Sequence, residues 1–262
     1  MAYALITGGG KGIGKAIAIE LATKGYDILI VSRTENDLKQ VCIEIEKANT
    51  VKTFYFVIDL SQEQSAEKVF TWVKSQHIEI EILVNNAGYG LSGYFAEQHL
   101  EKLKNMMQLN MLTLISFTHI FLPQLKKQKK SYILNIASTA AYQSTPGLST
   151  YAATKSFVLS FSRGLHSELK NTSVSVTCVS PGPTNTAFFQ RANLSEKGLK
   201  RITKVHMQPG IVAKLAVEAL LQKNPEIIPG WQNKSAAFLS WLLPKFLVER
   251  IAGKLLNNVI ES

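Results

Sequence analysis

Short apolar runs alternate with amphipathic stretches along nearly the whole chain, and this alternation limits the possible folds more than any single motif. The apolar runs lie at residues 3–6, 27–31, 52–58, 80–83, 132–136, 174–179 and, as a last short one, 226–228. Helical periodicity fills intervals at 12–24, 35–48, 62–76, 97–122, 150–170 and 209–222. A run such as Ile28-Leu29-Ile30-Val31 is apolar at successive positions, as strands buried on both faces are. The expectation is an α/β chain: one doubly wound, Rossmann-type parallel sheet with helices on both faces. The chain has 262 residues and shows no repeat, linker or composition break. It therefore reads as one domain over 1–230 with an extension over 231–262.

Composition excludes several classes. Hydrophobic content of 46% against 18% charged residues describes a packed protein, not a disordered one. Cys42 and Cys178 lie far apart with no metal-like spacing, which suits a reducing cytoplasm. The five histidines form no i, i+4 pair, so no metal is expected. The start, MAYALITGGG, lacks a charged segment followed by a long apolar core, and no apolar run reaches the length of a membrane span. A cytoplasmic protein is expected, and the sequon Asn171-Thr172-Ser173 is then without meaning. The net charge of +10 has its only dense cluster at Lys126, Lys127, Lys129 and Lys130, with no aromatic residues between them. That reads as a solvated helix end, not a nucleic-acid surface.

The first apolar run leads straight into TGGGKGIGKAIAIE. Beyond the carboxyl end of a strand in an open α/β sheet, glycines let the backbone approach an anion and the next helix offers free N–H groups. Two phosphate ligands come close to fitting. Residues 9–16, GGKGIGKA, approach the nucleoside-triphosphate loop GxxxxGK[ST], but Ala16 has no hydroxyl for Mg²⁺. The loop fits TGxxxGxG instead, through Thr7, Gly8, Gly12 and Gly14.

Five further segments stand in order behind it. Asn85-Asn86-Ala87-Gly88 follows the fourth run, and Asn110 lies in the next helical stretch. Ser138 ends the fifth run; Tyr151 follows 13 residues later and Lys155 four after that. Pro181-Gly182-Pro183-Thr184-Asn185-Thr186 follows the sixth run. Over about residues 3 to 190 the chain resembles the short-chain dehydrogenase/reductase family, in particular its NADP-preferring bacterial-type reductases. The resemblance implies a catalytic set of Asn110, Ser138, Tyr151 and Lys155. It also implies cofactor contacts at Thr7, Gly8, Lys11, Gly12, Ile13 and Gly14 in the loop. Further contacts would come from Ser32, Arg33, Asp59, Leu60, Asn86, Ala87 and Gly88, from Tyr151 and Lys155, and from Pro181, Gly182, Thr184 and Thr186.

The chemistry fits those residue types. A free phenol has a pKa near ~10 and is a poor base at neutral pH. Residues four apart share a helix face, so Lys155 should stand beside Tyr151 and its charge should lower the phenol's pKa. Tyr151 would then exchange a proton with a carbonyl or alcohol oxygen that Ser138 also binds. The family likeness gives Lys155 the nicotinamide ribose hydroxyls and Asn110 a water. NAD-specific proteins place an acid after the second strand, whereas this chain has Ser32 there and Arg33 beside it. A guanidinium grips a 2′-phosphate, and Lys11 adds a second cation, so NADP(H) is expected. Asp59 matches the family's adenine-contacting residue.

Less follows for substrate and tail. A polar segment at 184–207 reads as a lid, and Phe188, Phe189, Tyr142, Leu148 and Tyr89 suggest an apolar pocket, with Ser138, Tyr142, Tyr151 and Phe188 touching substrate. After Pro244, apolar residues from Leu247 through Leu255, Leu256, Val259 and Ile260 recur at helical spacing. Such a helix docks on the chain's own body, on a partner subunit of a dimer or tetramer, or on a membrane surface. The expected function is hydride transfer between NADP(H) and a carbonyl or secondary alcohol of an apolar small molecule. A catalytically silent nucleotide-binding protein on the same fold is the alternative.

Overall fold

The computed structural model describes residues 2–184 and 207–260, the side chains of 255–260 excepted. Seven parallel strands form one sheet: β1 (Tyr3–Thr7), β2 (Asp27–Ser32), β3 (Thr53–Val57), β4 (Ile80–Asn85), β5 (Ser131–Ile136), β6 (Val174–Val179) and β7 (Glu226–Ile227), in the order β3-β2-β1-β4-β5-β6-β7. The helices are α1 (Gly12–Thr23), α2 (Glu35–Ala48), α3 (Ser65–Ser75), α4 (Leu100–Met107), α5 (Thr113–Leu125), α6 (Ser149–Glu168), α7 (Pro209–Leu221), α8 (Trp231–Leu242) and α9 (Lys245–Ile260). Chain direction across the sheet reverses between β1 and β4, which opens the crevice where such folds bind ligands.

Strand side chains alternate between two apolar layers, as the pleat requires. Ile28 and Ile30 pack with Ile17, Leu21, Leu38, Val212 and Val217 under α1, α2 and α7. Leu29 and Val31 pack with Val69, Val73, Phe117, Phe121 and Leu165 under α3, α5 and α6. The central strands are buried on both sides, while β3 at the edge is only partly covered.

The expected helix over 97–122 is not continuous. A short 3₁₀ turn at Phe95–Glu97 precedes α4, and a π turn at Gln108–Leu112 separates α4 from α5. A π turn holds one residue more than an α turn, and periodicity alone cannot announce it. Strand β7 shrinks to two residues, pairing Cys178 with Glu226 and Val179 with Ile227. The extension forms two helices that part at Pro244, whose missing N–H suits a helix boundary. Among the described residues, no helix is long and apolar enough to cross a membrane.

Candidate active site

The glycine loop is held by the ends of β1, β2 and β4. Gly8 takes a left-handed φ of 68° and donates its N–H to the Val31 carbonyl at 2.8 Å. Buried Thr7 donates its hydroxyl to Val84 O at 3.1 Å and accepts the Asn86 and Ala87 N–H groups at 3.0 and 3.1 Å. Gly14 brings α1 against this joint: a Cβ there would lie 2.4 Å from Gly8 O and 2.3 Å from the Asn86 amide nitrogen. Thr7 and Gly14 therefore shape the loop from behind. They do not line the cavity in front of it.

That cavity has a volume of about 390 Å³ and runs from the second strand to the fifth. Ser32, Arg33, Asp59 and Leu60 line one end; Gly8, Lys11, Gly12 and Ile13 form a wall; Asn86, Ala87 and Gly88 form the floor. Ser138, Tyr151 and Lys155 line the other end, with Pro181, Gly182 and Thr184 above them. Thr184 donates its hydroxyl to Gly182 O at 2.9 Å. Asn185, Thr186, Phe188, Phe189 and the expected lid between Thr184 and Met207 lie outside the described residues.

The cations at the first end differ in state. Lys11 ion-pairs with Asp37 at 3.0 Å, so part of its charge is already answered within the chain. Arg33 is exposed at the rim and makes no ion pair among the described residues. One oxygen of Asp59 accepts both the N–H and the hydroxyl of Ser61, at 3.0 and 2.8 Å, which fixes that carboxylate in a tight turn.

At the second end Ser138, Tyr151 and Lys155 come together on the cavity, with Asn110 behind it, though not as the spacing alone implies. Tyr151 is buried at 8% exposure on α6, with a side-chain hydrogen bond to Ser138. Ser138 Oγ also accepts the Ala140 N–H at 3.1 Å, capping the 3₁₀ turn Thr139–Tyr142. Lys155 donates to the Ile136 carbonyl at 2.8 Å, and its nitrogen sits 5.9 Å from the Tyr151 ring centroid. The expectation that Lys155 lowers the phenol's pKa does not hold here. Burial pushes Tyr151 up to about 12, offset in part by the Ser138 bond, and burial pushes Lys155 down to about 8. Desolvation disfavours phenolate and ammonium alike.

Asn110, inside the π turn, clamps the neighbouring loop instead of facing the cavity. It accepts the Tyr89 N–H at 3.1 Å and donates to Tyr89 O at 2.9 Å and Thr154 Oγ1 at 3.1 Å. Thr154 in turn donates to the Tyr151 carbonyl at 2.7 Å. Asn110 thus ties the β4 loop to the helix that carries Tyr151.

Tyr142 is not part of the cavity wall. Its hydroxyl donates to Glu226, with Ser180 Oγ 3.1 Å away, and Glu226 also ion-pairs with Arg163 at 3.1 Å. Burial and the Glu226 carboxylate push this phenol's pKa up. It is a structural phenol at the β6–β7 edge. Tyr89 and Leu148 do line the cavity, joined by Gln143 and Thr145, which no pattern in the sequence singles out. Nor does the sequence reveal that Asn233 of α8 stands over Gly182, where a Cβ would lie 2.3 Å from its Oδ1.

Sheet order, glycine loop and cavity define a dinucleotide-binding oxidoreductase of the Rossmann type. The sequence profile described as short chain dehydrogenase matches residues 2–197. A very-long-chain 3-oxoacyl-CoA reductase from Mus musculus is 33% identical over 239 residues, covering 87% of this chain and 76% of that protein. The reductase of that name from Homo sapiens is 37% identical over 261 residues, covering 98% and 75%. Among solved structures, a short-chain dehydrogenase from Sphingobium yanoikuyae in complex with NADPH superposes with a TM-score of 0.80 at 26% identity, covering 92% and 95%. The chain belongs to the short-chain dehydrogenase family.

Proposed function

We propose that this protein is an NADPH-dependent reductase acting on the ketone of an apolar chain, with the oxo group of a 3-oxoacyl thioester as its substrate class. The observation that carries the reading is the end of the cavity where buried Tyr151 and Lys155 converge with half-buried Ser138 beside apolar Ala140 and Leu148. Support for the acyl class comes from the relatives named 3-oxoacyl-CoA reductase. Support for NADPH over NADH comes from Arg33, a rim cation at the second strand with no acid in place of Ser32. When bound, the reduced nicotinamide supplies the hydride that turns the carbonyl carbon into an alcohol carbon.

The chain's own residues do the rest. A phenol with a raised pKa is fully protonated at neutral pH, so Tyr151 holds the proton that the carbonyl oxygen takes up. Ser138 hydrogen-bonds that oxygen and stabilises the charge that develops on it. Lys155, with its pKa near 8, keeps a positive charge at neutral pH below the reacting centre and binds cofactor hydroxyls. Asn110 acts as a positioning residue through Tyr89 and Thr154. The test is NADPH oxidation across a panel of 3-oxoacyl thioesters and plain ketones, with Tyr151→Phe as control. Turnover of the thioesters by the parent and its loss in the Phe protein support the proposal. Equal turnover by both proteins, or none on any thioester, overturns it.

A further inference from the structure

Helices α8 and α9 are packed inside out for a water-facing pair. α8 turns its small and polar residues inward: Ala237 and Ser240 are buried, Ser240 donates to Tyr142 O at 3.2 Å, and Asn233 covers Gly182. Its outward stripe is Trp231 (77% exposed), Phe238, Trp241 (73%) and Leu242, with the Phe238 and Trp241 rings 6.0 Å apart. α9 buries apolar Val248 and Ala252 but also leaves Phe246, Leu247 and Ile251 exposed. An amphipathic helix on a water-facing surface shows the opposite arrangement, and a contiguous aromatic and aliphatic face of this kind marks something that covers it.

Charge selects the cover. Lys234, Lys245, Arg250 and Lys254 are all exposed in the same stretch, and Glu249 is the only acid from Trp231 to Lys254. A two-fold dimer through this face would press the cations against their own copies with one acid per subunit to answer them. An anionic bilayer surface carries the charge opposite to this basic face, while tryptophan rings suit the depth of the headgroups. We infer that the outward face of α8 and α9 lies on an anionic lipid surface, apolar side chains inserted at the interface and cations on the phosphates.

The placement has a consequence for the site. α8 touches Gly182, and α9 lies against Pro146, between the lining residues Thr145 and Leu148. The helices that carry the lipid-facing stripe therefore pack, by their inner faces, on residues beside the cavity.

Sedimentation of the full chain with vesicles, without cofactor or substrate, tests the docking alone. Binding to phosphatidylcholine mixed with phosphatidylglycerol should exceed binding to phosphatidylcholine by about tenfold or more and weaken as salt rises. The double variant Phe238→Ala/Trp241→Ala should lose binding to both. Reversing three charges, Lys245→Glu/Arg250→Glu/Lys254→Glu, should erase the preference for anionic lipid. Matched thermal melts keep misfolding out of the comparison. Three results each overturn the inference: no vesicle binding by the parent, tryptophan emission shielded from acrylamide in free protein, or a dimer in solution that the aromatic double variant splits into monomers.

Discussion

Lys155 holds its ammonium nitrogen 5.9 Å from the centroid of the Tyr151 ring and donates at 2.8 Å to the Ile136 carbonyl at the end of β5. The helical spacing of four residues brings the two side chains together, while the strand end decides where the lysine's hydrogen bond goes. Both groups are buried, and that burial sets their protonation.

Tyr151→Phe should lower the rate of ketone reduction about 10²- to 10⁴-fold, the range for loss of a positioned general acid. The Phe ring keeps the buried packing, so the thermal midpoint and the NADPH dissociation constant should stay near the parent's. Stopped-flow turnover with fluorescence titration of NADPH separates the two.

The lowered pKa of Lys155 makes a stability prediction with a definite sign. Its folded pKa of about 8 lies below the ordinary lysine value of 10.5, so the unfolded chain binds the extra proton between those limits. Stability contributed by this group is present above 10.5 and is lost as pH falls through 8. Chemical denaturation at several pH values should show it as the difference between the parent and Lys155→Met. The variant should lack a rise on the order of 3 kcal/mol across that window, an upper figure that water entry reduces.

Arg33→Ser should weaken NADPH binding about 10- to 100-fold, the worth of a charge-assisted hydrogen bond to a phosphate, and leave NADH nearly unchanged. Comparable titrations of the two cofactors in parent and variant read the ratio. Equal losses for both would mean that Arg33 does not meet the 2′-phosphate.

Asn110→Leu should destabilise the fold by about 1–3 kcal/mol, because the Tyr89 N–H and C=O lose their buried partner together. Turnover should fall further than this stability loss explains at saturating NADPH. A thermal melt and kcat measured on the same preparation show whether positioning of the β4 loop is lost.

Tyr142→Phe should cost about 1–2 kcal/mol by leaving the Glu226 carboxylate without its phenol, with KM for substrate unchanged. A change in KM without a change in melting temperature would place Tyr142 at the substrate after all.

Much of this arrangement was legible in the residue order. Unbroken apolar runs between helical stretches are what a sheet buried on both faces needs, and all seven strands lie where those runs are. Thr7, Gly8, Gly12 and Gly14 mark the loop because close backbone approach and left-handed φ admit few residue types. Tyr151 and Lys155 announce their neighbourhood because four residues make one helical turn. Their protonation was not legible: a sequence shows that two charges are near, but desolvation depends on what else surrounds them. The clamp of Asn110 on Tyr89 and Thr154, the diversion of Tyr142 to Glu226, and the capture of Lys11 by Asp37 all join residues distant in sequence. So does the seating of α8 on Gly182 with its apolar stripe outward. Local patterns specify which elements form and which side chains share a face; only the packed chain decides which partner each polar group meets and which face is left for something else to cover.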